Sequence, residues 1–338
     1  MSHYSAFRIH RDDQGHHAGI ETLPKPEPAA GEVLIRVSHS SVNYKDALAG
    51  TGKGKILRTF PLVGGIDAAG RVERSNHPDF QPGDAVIATG WGMSFDHDGG
   101  YAEILCVPGD WLVPLPDGLD AASAMILGTA GFTAALAVQR MLTNGQRPEL
   151  GPILVNGASG GVGSMAIAIF ARLGYEVVAI SGKPPLREWL AGLGASRILD
   201  RDALAAATRP LEPAQWGGAI DNVGGDLLAR ITRTMAPGGN IAAIGLAGGH
   251  EFHASVMPFI LRGVSLLGCN SVDIPAPPRA ELWRHLASDW RPAQLETMVT
   301  ETIGLEGLPE VFERMLAGQT HGRILVTPSL LGDPRSGV

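Results

Sequence analysis

The chain has 338 residues, 44% of them hydrophobic and 18% charged, with a formal net charge of −7. That length predicts more than one core, and the apolar content suffices to bury them. The 27 basic residues are scattered along an acidic chain, which excludes the concentrated cationic surface of a nucleic-acid binder. Cys106 and Cys269, the two cysteines, are far apart and without C-x-x-C spacing, so neither a disulfide framework nor a cysteine-rich zinc site is available. The opening segment MSHYSAFRIHRDDQGHH lacks the apolar stretch of a secretory signal, and no run reads as a membrane span. The expectation is a cytoplasmic protein with no membrane partner.

In chain order, the first third reads as short strands bounded by Gly, Pro or Asp. GEVLIRVSHSSVN alternates apolar and polar through Val33, Ile35 and Val37, the pattern of a half-buried strand. GIDAAGRVERS, PGDAVIATG and YAEILCVPGDWLVPLP continue the series, which predicts a β-rich, barrel-like or sandwich-like domain. Near Ala121 the grammar changes. AASAMILGTAGFTAALAVQRM is helical, and PILVNG, YEVVAIS, RILD, GGAIDNVG, GNIAAIGL and VSLLGCN are apolar strands with helical segments between most of them. Continuous apolar strands joined through helices predict a doubly wound parallel sheet. AELWRHLAS and LPEVFERMLAG return to helix, and GRILVTP closes the chain as a strand.

The stretch VNGASGGVGS lies between the strand PILV and an apolar helix. Read as A-x-G-x-x-G, with Ala158 in place of the first glycine, it fits a dinucleotide loop. Ser159, Gly160, Gly161 and Val162 line the phosphates, and Gly163 seats the helix on the strand. The next strand ends Ser181-Gly182-Lys183, with no carboxylate for an unphosphorylated ribose. A hydroxyl and an ammonium attract a 2′-phosphate, so the cofactor expected is NADP(H). Arg197 and Arg201, at the following strand, are expected to add positive charge on the same side.

GTAGFTA, ASGGVG, the strand-end SGK and VMPFILRGVSLLGCNS together resemble the medium-chain dehydrogenase/reductase superfamily, in its zinc-free, quinone-oxidoreductase-like branch. More narrowly, VNYKDALAGTGKGKILRTFP and LAGGHEFHASVMPFILRGVSLLGCNSV resemble bacterial NADPH-dependent acrylyl-CoA reductases. The resemblance covers essentially the whole chain. It implies an α/β fold with a GroES-like β-rich catalytic domain over residues 1–122, a Rossmann NADP-binding domain over 123–271, and a return to the catalytic domain over 272–338. A cleft between domains and a homodimer through the Rossmann-sheet edge, at VSLLGCNS, are also implied. An apolar edge strand needs a partner in any case. Cofactor contacts carried over are Tyr44, Thr129, Leu246, Ile260, Ser271 and Gly318.

Zinc-dependent members carry a G-H-E segment where this chain has Gly65-Ile66-Asp67, and the four-cysteine lobe is missing. No histidine pairs with a cysteine at ligand spacing, and His16, His17 and His97 read as residues of polar surface loops. No zinc is expected. Without a Lewis acid, a C=C conjugated to a thioester is the suitable electrophile. Hydride adds at the β-carbon, and the enolate is protonated at the α-carbon. Acrylyl-CoA would thus give propanoyl-CoA. Candidate catalytic residues are Tyr44, Asn43 and Asp67. Tyr44 is either a donor to the enolate or an amphipathic wall against the cofactor, Asn43 orients substrate or loop, and Asp46 or Asp67 fixes neighbouring groups. Lys53, Lys55 and Arg58 are candidates for the phosphates of a CoA thioester. The rival readings are a quinone or enone reductase of the same fold, and an NADPH-binding regulator without turnover.

Overall fold

The computed structural model describes residues 2–13 and 15–329. The chain divides into two compact units. The first comprises Met1–Thr129, Val272–Ala287 and Leu295–Val338, and the second Ala130–Ser271 and Ser288–Gln294.

The first unit opens with strands β1 (His3–Asp12) and β2 (Gly15–Pro24), followed by β3 (Glu32–Ser41) and helix α1 (Tyr44–Thr51). Strands β4 (Leu62–Val63), β5 (Asp67–Ser75), β6 (Ala85–Thr89), β7 (Ile104–Pro108) and β8 (Leu112–Pro114) follow. A three-stranded sheet has the order β2-β1-β4. β3 lies inside a larger sheet, antiparallel to both β5 and β7. Val33, Ile35 and Val37 enter one core with Val72, Val86 and Leu105, as their alternation predicts. Leu34 enters a second core with Tyr4, Ala6 and Val63, so both faces of β3 are covered at its start.

Helix α2 (Ala121–Thr143) then carries the chain into the second unit. By length and composition it could cross a membrane, which corrects the reading that no run has that character. It is a core helix: 83% of its most apolar window is buried inside the protein.

The second unit contains β9 (Ile153–Val155), α3 (Gly161–Arg172), β10 (Val177–Ile180), α4 (Arg187–Gly192), β11 (Arg197–Leu199), β12 (Trp216–Asp221), α5 (Gly225–Thr234), β13 (Met235–Ala243), α6 (Met257–Arg262) and β14 (Ser265–Gly268). Its strands form one sheet in the order β11-β10-β9-β12-β13-β14, parallel throughout. From β9, the first strand of the unit, the chain builds outward through β10 and β11 on one side and through β12, β13 and β14 on the other, so the strand order reverses between β9 and β12. Open parallel sheets bind nucleotides at that reversal, beyond the carboxyl ends of the strands. The remaining elements return to the first unit: α7 (Ala276–Ala287), β15 (Val299–Ile303), α8 (Leu308–Leu316) and β16 (Arg323–Val326). β16 pairs with β3 at Ser40 and Ser41.

His16 and His17 are not loop residues. They belong to β2, paired with β1 along its length as His17 with His10 and His16 with Arg11. β2 is an outer strand without a fully buried residue, so it lacks the apolar alternation that would have marked it. His97 does lie in a loop, where it is half-buried, meets Trp111 edge-on and bonds through Nδ1 to the Asp98 carbonyl.

Candidate active site

The glycine loop springs from the carboxyl end of β9. Gly157 takes φ +56°, Ala158 is buried, and Gly160 caps α3 in an extended conformation. A Cβ on Gly163 would stand 2.4 Å from the Gly157 carbonyl oxygen and 2.8 Å from the Ala158 Cα, so only glycine lets α3 seat so closely. A Cβ on Gly160 would meet only the Gly157 carbonyl oxygen, at 3.3 Å. Ser159, Gly161 and Val162 are part-exposed at the first turn of α3, where free amides and the helix dipole favour an anion. Asn156 braces the loop: its carbonyl groups accept from the Asn222 amide and side chain, and its side chain donates to the buried Asp221.

At the end of β10, the Ser181 hydroxyl accepts from the Lys183 amide at 3.2 Å. The Arg201 guanidinium lies over Gly182, where a Cβ would stand 2.9 Å from Nε. Burial, and then the charge of Arg201, hold the Lys183 ammonium below the usual lysine range. Two cations placed this near each other suit a doubly charged anion. Arg197 does not join them. It starts β11, at the amino end of the sheet, and its Nε is 3.2 Å from Glu176. Arg201 follows the same strand at the carboxyl end, which explains the different fates of two cations four residues apart.

In the first unit, a buried polar network centres on Asp67. Its carboxylate accepts from Ser41 Oγ at 2.6 Å, Asn43 Nδ2 at 2.7 Å, the Thr129 amide at 3.0 Å and Thr129 Oγ1 at 2.5 Å. The Thr129 contact depends on Gly128, which breaks α2 with φ +50°. The Thr129 amide thus belongs to a fresh helical start, and Asp67 supplies the anion that such a terminus favours. Arg323, wholly enclosed, donates to Ser41 Oγ at 2.7 Å and to the carbonyls of Ile126 and Val42. Asp46 accepts from the Asn43 and Ile66 amides. Burial, then the Asp67 charge, push its carboxyl up to about 7. The Tyr101 hydroxyl donates to the Ser41 carbonyl, and burial raises that phenol.

Asn43 and Asp67 are therefore brought together with Thr129. Tyr44 opens α1 directly after Asn43 and is 45% exposed. Gly318 takes φ +71° after α8, and Ser271 accepts from Thr133 Oγ1 at 2.7 Å. Leu246 and Ile260 are 63% and 72% exposed. Lys53 is paired with Glu313 at 2.6 Å, Lys55 is exposed, and Arg58 stacks on Phe95 at 4.4 Å with Lys45 also over that ring. The segment after Thr51 is thus a turn following a helix. Ser41, Tyr101 and Arg323 were missed because they are far from Asp67 in the chain and each sits in an ordinary apolar strand or loop. Only the ionic character of Arg323 inside RILV offered a signal.

The surroundings of Asp67 do not fit a catalytic zinc. Among the described residues, the network offers no histidine or cysteine ligand, and its carboxylate is consumed by protein donors. A dinucleotide fits better: the glycine loop stands at the strand-order reversal, and paired cations stand at the end of the next strand.

A parallel sheet of this order with its glycine loop, joined to a β-rich unit of this pattern, defines a nicotinamide-dinucleotide oxidoreductase. The comparisons agree. Residues 29–117 match the alcohol dehydrogenase GroES-like domain, and residues 161–288 match the zinc-binding dehydrogenase family. The chain is 50% identical over 309 residues, 91% of its length and 95% of the relative's, to an Escherichia coli protein called "Probable acrylyl-CoA reductase AcuI". It is 46% identical over 308 residues, 91% of this chain and 93% of the relative, to the Bacillus subtilis "Putative quinone oxidoreductase YhfP". A Salmonella enterica oxidoreductase solved in complex with NADP superposes with a TM-score of 0.92 at 47% identity, covering 96% of this chain and all of that one. A Bacillus subtilis structure with NAD bound gives 0.93 at 43% identity, covering 97% and 100%. The chain belongs to the medium-chain dehydrogenase/reductase superfamily.

Proposed function

We propose that this oxidoreductase uses NADPH to reduce the C=C of acrylyl-CoA to propanoyl-CoA. The observation that carries the cofactor half is the Ser181-Gly182-Lys183 strand end with Arg201 laid across it, two cations and a hydroxyl where an acid would select an unphosphorylated ribose. Ser159, Gly160, Gly161 and Val162 hold the pyrophosphate at the start of α3. When bound, NADPH supplies the hydride for the β-carbon.

The substrate half rests on the absence of a suitable ligand set around Asp67, which favours an alkene that its own thioester activates, and on the E. coli relative's name. Asp67 and Arg323 act as positioning residues that fix Asn43 and Thr129. Tyr44 is the exposed donor offered to the enolate oxygen, and water delivers the α-proton equally well. Arg58 and Lys45, over Phe95, form a cationic and aromatic group suited to CoA phosphates and adenine, and the exposed Lys55 is a further candidate. Lys53 contributes less, since Glu313 already neutralises it. The same reading assigns the protein to the cytoplasm, where NADPH and CoA esters meet, and to a homodimer.

The second reading, quinone reduction, is favoured by the Bacillus subtilis relative. NADPH oxidation measured with acrylyl-CoA, crotonyl-CoA and a simple quinone separates the two. A kcat/KM for acrylyl-CoA at least about tenfold above that for the quinone is expected. The reverse order sinks the thioester assignment, and no turnover with any of them points to a regulator.

A further inference from the structure

The β1–β2 hairpin carries a cluster that no step of the proposed reaction uses. His10 and His17 are direct cross-strand partners, so their side chains leave the same face of the ladder. Their rings stack with centroids 4.8 Å apart and planes 3° from parallel. Asp12 emerges on the same face two residues further along β1, and its Oδ2 is 3.9 Å from His17 Nε2. One nitrogen from each ring and one Asp12 oxygen all lie within 4.8 Å of one another. On the other side, His10 Nε2 is bonded to Glu21, which Arg8 holds in turn.

We propose that this hairpin binds a divalent transition-metal ion of the zinc class through His10, His17 and Asp12. Two imidazoles and one carboxylate suit zinc, copper or nickel, with water completing the shell. Ligand atoms about 2.1 Å from a tetrahedral ion are about 3.4 Å apart, so the three donors need to close by little more than an ångström. Exposed side chains make that adjustment by rotation: His17 and Asp12 are about half exposed. With His10 Nε2 committed to Glu21, Nδ1 is left as the ring nitrogen for the ion, and Glu21 would be the outer carboxylate that orients the ligand ring. The ion would bridge β1 and β2 and so staple the outermost strand of its sheet.

The test is calorimetric titration of the full-length protein, stripped with chelator, with zinc chloride. One saturable equivalent is expected. It should be lost in His10→Gln/His17→Gln, weakened about tenfold in Glu21→Gln, and unchanged in His16→Gln, whose ring turns to the Gly50 carbonyl. Zinc should raise the thermal midpoint of the wild type but not of the double variant. Copper(II) in place of zinc should give an electron paramagnetic resonance spectrum with two-nitrogen coupling. Absence of stoichiometric binding, or binding that persists undiminished in the double variant, overturns the proposal. The single variant His17→Gln alters only an exposed side chain and keeps the test readable if the double variant misfolds.

Discussion

Gly128 sets the break in α2 that brings the Thr129 amide to Asp67. A Cβ there would stand 2.7 Å from both Asp67 Oδ2 and Ser41 Oγ, and its φ of +50° is costly for any other residue. Gly128→Ala is expected to lower stability by about 1–3 kcal/mol, read from urea unfolding; an unchanged midpoint would mean the break is relieved at no cost. Asp46 gives a pH signature. Its native pKa of about 7 lies above its ordinary value of 3.8. The folded state therefore holds that proton more tightly, and the associated stability is complete below about pH 4 and lost as pH rises through about 7. The fall in urea midpoint between about pH 5 and pH 8 should be shallower in Asp46→Asn, whatever its absolute stability; parallel profiles would assign the fall to other groups. Arg201→Ala removes a cation expected on the 2′-phosphate. The KM for NADPH should rise about tenfold or more, with that for NADH little changed. Equal changes for both coenzymes would dismiss Arg201 as the selecting group.

At the scale of elements, the sheet of the second unit ends, among the described residues, at β14. β14 forms the outer strand of the sheet, and α6, just before it, exposes Met257, Ile260 and Leu261, with Leu266 exposed on β14 itself. An edge of unpaired backbone groups beside apolar side chains is a template for a second copy. Light scattering should report a dimer for the wild type and a monomer for Leu266→Lys, since a buried lysine at a strand-to-strand seam leaves an unpaired charge. A wild-type monomer would remove this edge as the seam. Ile260 is exposed on the same helix, so a cofactor contact and a dimer contact would compete for one side chain.

At the scale of the whole molecule, the proposed reaction asks the two units for separate contributions. In that proposal the second would hold the nucleotide by its phosphates, and the first would supply a buried polar network and the exposed Tyr44. Tyr44→Phe should therefore reduce kcat with acrylyl-CoA while leaving NADPH binding, followed by fluorescence, within about twofold. Donation to a developing enolate is worth about 1–3 kcal/mol, about fivefold to 150-fold in rate. An unaltered kcat would leave Tyr44 as a wall and water as the proton source.

The strand–glycine–helix grammar around Val155–Gly163 and the acid-free end at Ser181 were legible because both arise from neighbours in the chain. The local steric needs of glycine and the chemistry of a strand end do not wait for a tertiary fold. The same holds for the alternation at Val33, Ile35 and Val37. Tertiary structure alone decided the rest. It joined Asp67 to Ser41, Thr129 and Arg323 across long chain separations, sent Arg197 to Glu176 but Arg201 to Gly182, and turned a polar segment into β2 opposite His10. The physical reason is that a buried hydrogen-bond network satisfies donors from whichever strands the sheet makes adjacent, and an outer strand needs only a partner ladder, so neither leaves a periodic trace in the sequence.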